Sequence, residues 1–130
     1  MINFGYTILY VKDVNKSIEF YEKAFGFQRT FIAPGGDYGE LSTGNTKLSF
    51  ASVNLAKSNL KDGFIESNPN NKPFGIEIGF VTEAVEETIK KAVAAGAILL
   101  EKPKTKPWGQ IVSYIRDLDG FLIEICSPMN

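Results

Sequence analysis

Apolar residues recur along this chain in two rhythms, every second position and every third or fourth. Residues 4–11, Phe-Gly-Tyr-Thr-Ile-Leu-Tyr-Val, are rich in β-branched and aromatic side chains and predict a strand. Val14, Ile18, Tyr21 and Phe25 follow along one face of a helix, with Asp13 or Asn15 as its cap. Gly26 stands where a left-handed C-cap belongs. Short strands are expected over 27–33, 38–42 and 46–52, separated by Pro34-Gly35-Gly36 and by Gly44-Asn45. Residues 53–73, rich in Asn, Lys and Ser, read as an exposed connection with a helical turn near Leu55–Leu60.

The pattern then starts again. Residues 76–81 predict a strand, Val85, Ile89 and Ala92 or Val93 a helical stripe, Gly96 its C-cap, and 97–100 another strand. Residues 102–109 read as a loop. A final hairpin, 110–116 and 121–127, turns about Asp117-Leu118-Asp119-Gly120. Val14 and Val85 lie 71 apart, as do Ile18 and Ile89. Residues 48–52 lie over 123–127 at an offset of 75. The order strand–helix–three strands therefore occurs twice. The fold expected is α+β: two βαβββ modules in tandem, each curling a mostly antiparallel sheet into half of a cup. One domain spans 1–130, with module 1 about 2–52, the connection 53–73, and module 2 about 74–127.

Composition narrows the chemistry. The 130 residues carry a net charge of −1, with no basic stripe, so no nucleic-acid partner is expected. No apolar run is long enough for a membrane span, and the N-terminus lacks signal-peptide features. With one cysteine, Cys126, and therefore no internal disulfide, a cytoplasmic location is expected. There is no histidine. Any metal must then be held by oxygens or one thiolate, and any acid–base step must use Glu, Asp, Lys or Tyr.

Several segments carry a family resemblance. Asp13-Val14 and Phe20-Tyr21-Glu22-Lys23-Ala24-Phe25-Gly26-Phe27, Ala94-Ala95-Gly96-Ala97, and Arg116-Asp117-Leu118-Asp119-Gly120-Phe121-Leu122-Ile123-Glu124 occur in order, with Lys106-Pro107-Trp108-Gly109-Gln110 between the last two. Together they resemble the glyoxalase / bleomycin-resistance / dioxygenase (vicinal oxygen chelate) superfamily, although Leu118 stands where that family usually has Pro. The resemblance implies metal-ligand positions on the first and last strands of each module: Tyr6, Ser49, Glu77 and Glu124. Family members that use a metal commonly have His at the positions of Tyr6 and Glu77, and only Glu124 keeps their ligand type. The resemblance also implies a homodimer.

Strand alternation puts Ile123 and Ile125 on one face and Glu124 on the other, and likewise separates Ile76, Ile78 and Phe80 from Glu77. Alternation alone favours carboxylates that simply face water; the repeat carries both onto the concave face. The residues expected to bind ligand are Tyr6, Ser49, Glu77, Trp108 and Glu124. Trp108, the only tryptophan, has two readings: a cap on the sheet edge or a stacking platform. Cys126 reads as a small buried hydrophobe. The expected function is metal-independent binding of a small molecule, as in the bleomycin-resistance branch, with no cofactor. The alternative is an enzyme resembling glyoxalase I, a lyase, isomerase or epimerase. There Glu77 and Glu124 hold a divalent metal, with Glu124 the best catalytic candidate.

Overall fold

The structure is a computed structural model describing residues 1–129. In chain order its elements are β1 (Thr7–Val11), α1 (Val14–Phe25), β2 (Gln28–Ile32), β3 (Tyr38–Ser42), β4 (Lys47–Ser52), α2 (Val53–Asn59), β5 (Glu77–Val81), α3 (Val85–Ala94), β6 (Ile98–Thr105), β7 (Ile111–Arg116) and β8 (Leu122–Cys126). The strands form two open four-stranded sheets, ordered β1-β4-β3-β2 and β5-β8-β7-β6. In each, the first pair is parallel and the others are antiparallel. This is the expected α+β arrangement of two βαβββ modules.

Two compact units divide the chain. One holds Met1–Glu22 and Gly26–Glu66; the other holds Lys23–Phe25 and the chain from Ser67 on. In the first unit, Asp13 accepts from the Lys16 amide at 3.1 Å and starts α1, and Gly26 ends it at φ 72°. The predicted stripe buries Val14, Ile18 and Tyr21 over Leu9, Leu41, Leu48 and Phe50. Tyr21 meets Phe50 edge-on, ring centroids 5.1 Å apart. Each such side chain contributes about 1.5–3 kcal/mol by leaving water. α1 lies directly over Gly39, where a Cβ would collide with the side chains of Ile18 and Val14. α2 occupies part of the expected connection. Ser52 caps it by accepting from the Leu55 amide at 3.1 Å, and Ala56 packs it down.

In the second unit α3 buries Val85, Ile89 and Ala92, while Ile115, Ile123 and Ile125 are buried on the sheet. Val93 is exposed, so the stripe runs through Ala92. Phe25, which groups with this unit, is half-buried against Phe80, ring centroids 4.9 Å apart. One expectation fails here. Residues 102–105 are the outer half of β6, not a loop, because Lys104 and Thr105 pair with Val112 and Ile111. A proline and alternating lysines are tolerated there because β6 is an edge, where one side of the backbone needs no partner. Two register shifts, between Leu99 and Glu101 and between Glu101 and Lys104, bend it. No helix among the described residues is long and apolar enough to cross a membrane.

Candidate functional site

The site is built from cross-strand rows. In the first ladder Thr7 stands opposite Leu48; the residues 71 and 75 positions on, Ile78 and Ile123, stand opposite each other in the second. The repeat read from the sequence is therefore a repeat of register, and the next row in each sheet is its test. There Ile8 faces Ser49, and Gly79 faces Glu124.

In the second unit, Ile123 and Ile125 are fully buried, so Glu124 projects from the opposite face. Tyr114 is its neighbour on β7 and donates its hydroxyl to Glu124 Oε2 at 3.1 Å. On the other side is Gly79, where an added Cβ would lie 3.6 Å from Glu124 Oε1. Glu77 is two residues from Gly79 on β5 and shares its face. The result is a notch over Gly79 with a carboxylate at each side. Among the described residues neither carboxylate has an ion pair.

The electrostatics follow from that crowding. Glu77 is exposed by area, yet the packing around its carboxyl pushes its pKa up, and the charge of Glu124 adds to the effect. Burial, then the hydrogen bond to Glu124, pushes the Tyr114 phenol up to about 12. Cys126, on the same face of β8, is buried and free, and its thiol donates to the Phe80 carbonyl at 3.8 Å. Burial chiefly raises its pKa too, with Glu124 beside it, which makes it a poor nucleophile.

The first unit presents different chemistry. Ser49 is 0% exposed, and its hydroxyl has no hydrogen-bond partner among the described residues. Its neighbour on β3 is Glu40, the counterpart of Tyr114. Tyr6 precedes β1 and is exposed, as is Ile8 in the same alternation. Trp108 lies in the turn between β6 and β7 and is 62% exposed. Its indole N–H donates to Gln110 Oε1 at 2.9 Å, and Gln110 in turn donates to the Ser127 carbonyl at 2.9 Å. With Gly109, Gln110, Pro128 and Met129 it lines a shallow cavity of about 110 Å³. Of the five residues singled out from the sequence, Glu77 and Glu124 are brought onto one face. Tyr6 and Ser49 belong to the other unit, and Trp108 sits in a hairpin turn of the second.

Sequence reasoning missed Tyr114 and Glu40. The signal for Tyr114 was present in the hairpin, but a turn of 117–120 places it opposite Ile123. The loop in fact extends to Phe121, whose carbonyl accepts from the Asp117 amide at 3.0 Å, and this brings Tyr114 to Glu124.

The sequence matches the Glyoxalase/Bleomycin resistance protein/Dioxygenase superfamily over residues 3–125. The chain belongs to that superfamily. It is 30% identical over 122 residues to a virulence protein of Salmonella typhimurium strain LT2, covering 91% of this chain and 78% of the relative. Its fold is similar to that of a glyoxalase-related enzyme from Fulvimarina pelagi, with a TM-score of 0.81 at 21% identity over 98% of this chain and 89% of the other. It is equally similar to a glyoxalase/bleomycin resistance protein/dioxygenase family enzyme from Burkholderia phytofirmans PsJN, with a TM-score of 0.81 at 20% identity over 97% and 98%.

Two of the four donors at hand do not suit the transition metal that many such proteins hold. A phenol at position 6 and a buried serine at position 49 are poor ligands for a transition ion, which prefers imidazole or thiolate. Among the described residues no three His, Cys, Asp or Glu side chains converge.

Proposed function

We propose that this protein binds a small molecule without a metal and holds it by charge, in the manner of the bleomycin-resistance branch. The observation that carries this reading is the pair Glu77 and Glu124, set on one sheet face around Gly79 and without an ion pair among the described residues. Two such carboxylates favour a cation between them, because it relieves their repulsion. The ligand is then cationic, or neutral with good donors, and partly aromatic, with Trp108 of the same unit as stacking surface. In the first unit, the Ser49 hydroxyl, without a partner among the described residues, is proposed separately as a polar group kept for a ligand. The homodimer and the cytoplasmic location expected from the sequence belong to the same proposal, the first by family likeness and the second from the free buried thiol.

A screen of aromatic amines and guanidines, read by thermal shift and by Trp108 emission, tests the reading. Binding should weaken in Glu77→Gln and in Glu124→Gln, which keep shape and remove charge. A desolvated charge pair that loses one partner costs about 2–5 kcal/mol, against less than about 1 kcal/mol for a pair in open water. Unchanged affinity in both variants would refute the charge reading. Elemental analysis of the purified protein should find no stoichiometric zinc, nickel or iron.

A further inference from the structure

We propose that Arg116 is a positioning residue for the carboxylate face. Its guanidinium straps the chain segment Asn68–Asn71 to the β7–β8 hairpin, and so fixes where β5, and with it Glu77, enters the sheet. This rests on the proposed ligand site only in that Glu77 belongs to it.

Arg116 is 5% exposed, yet its partners are backbone carbonyls rather than carboxylates. Nε donates to Gly120 O at 2.9 Å, Nη1 to Pro69 O at 3.2 Å and to Asn71 O, and Nη2 to Asn68 O at 3.1 Å. Nearly all of its donors are used, in a planar fork that a lysine cannot reproduce. The strap is shaped to meet it. The Asn71 amide donates to Asn68 O at 3.0 Å, and the Asn70 amide to Asn68 Oδ1 at 2.9 Å, so the carbonyls of the turn converge on one cation. Gly120 completes the fit. A Cβ there would lie 2.7 Å from the Pro69 nitrogen, and its φ of 89° is strained for any other residue.

Two consequences reach the carboxylates. By alternation Arg116 shares a face with Tyr114, and the ladder pairs Arg116 with Leu122 and Leu122 with Glu77. A guanidinium in Glu77's own row would be the natural counter-charge for it. Because the strap saturates that guanidinium, Glu77 and Glu124 stay unpaired. Second, β5 needs an anchor. It is a five-residue edge strand with one parallel neighbour, and Gly79 at its centre adds no packing. Only residues 72–76 separate the strap from Glu77, and Pro73 limits their slack. The strap thus sets the start of the strand.

The test needs no ligand, so its failure is distinct from failure of the ligand reading. Residue-resolved amide exchange and cross-strand NOEs between Glu77 and Leu122 are measured in the intact protein. Wild type is compared with Arg116→Met, with Arg116→Lys, and with Gly120→Ala, which pushes on the strap while keeping the guanidinium. Exchange over residues 76–79 should accelerate about tenfold or more in each variant, with β7 and the Ile123–Ile125 stretch of β8 unchanged, and the Glu77–Leu122 NOEs should fade. Lysine should restore only part of the protection. If Arg116→Met does not fold, the other two variants decide. Uniform acceleration through the second unit, or a β5 as protected as in wild type, would overturn the proposal.

Discussion

The Tyr114 hydroxyl donates to Glu124 Oε2 at 3.1 Å across the β7–β8 ladder, while Oε1 of the same carboxylate faces the open space over Gly79. The phenol holds one oxygen, and the Cys126 thiol lies against the same carboxylate. Tyr114→Phe should remove a half-buried hydrogen bond worth about 1 kcal/mol, read as a lower urea midpoint with unchanged slope. In wild type, absorbance titration should include a late step near pH 12 from the Tyr114 phenol. That late step should vanish in the variant.

Glu77 predicts a pH dependence of definite sign. Its carboxyl is held above the ordinary value of 4.5, so the folded state binds its proton more tightly than the unfolded chain does. Stability conferred by that proton is present below the unfolded pKa and is lost as pH rises through the raised folded value. Melting temperatures of wild type and Glu77→Gln should therefore converge below about pH 4 and separate toward neutrality, with the glutamine variant the more stable. A gap that instead widens on acidification would contradict the assigned direction.

Ser49→Ala removes a fully buried hydroxyl that has no partner among the described residues. Replacing it by a methyl should be neutral or stabilising by up to about 1 kcal/mol. If Ser49 serves the ligand, the same variant should bind more weakly while melting no lower. This opposition of stability and affinity is what a polar group kept for function predicts. Thermal melts and a titration with the best ligand of the screen measure both.

Trp108 is the only tryptophan, so all indole emission reports its turn. Gln110→Ala should free the ring by deleting its 2.9 Å hydrogen bond and lower its fluorescence anisotropy, and losing the bond to the Ser127 carbonyl should lower stability by about 1 kcal/mol. Ligand should shift the wild-type emission. A Trp108→Ala variant that binds every ligand found as tightly as wild type would leave the indole a purely structural role.

Much of this arrangement was legible because helix and strand periods are set by local geometry. Val14, Ile18 and Tyr21 were readable as one buried face, and Gly26 as a left-handed cap, with no knowledge of what they pack against. The offsets of 71 and 75 carried over even to the pairing of Ile78 with Ile123. What escaped depends on the partner strand. Tyr114 meets Glu124 because the β7–β8 loop holds one residue more than its turn signature suggests. A slip of that size reverses every face. Lys102–Thr105 looked like a loop because composition cannot show that β7 lies alongside. The anchoring role of Arg116 was invisible for the same reason: its partners are carbonyls of Asn68, Pro69 and Asn71, and carbonyls leave no mark in a sequence.

The outer half of β6 has a consequence beyond the site. An eight-residue strand with a bare edge invites another chain to continue the sheet. Here Lys102 and Lys104 set like charges along that edge, with Lys106 just beyond its end, Pro103 lacks an amide to offer a neighbour, and two register shifts spoil the spacing. Fibril-like stacking through this strand is thereby disfavoured. Replacing Pro103 and the lysines with threonine would be expected to turn a self-limiting sheet into a sticky one.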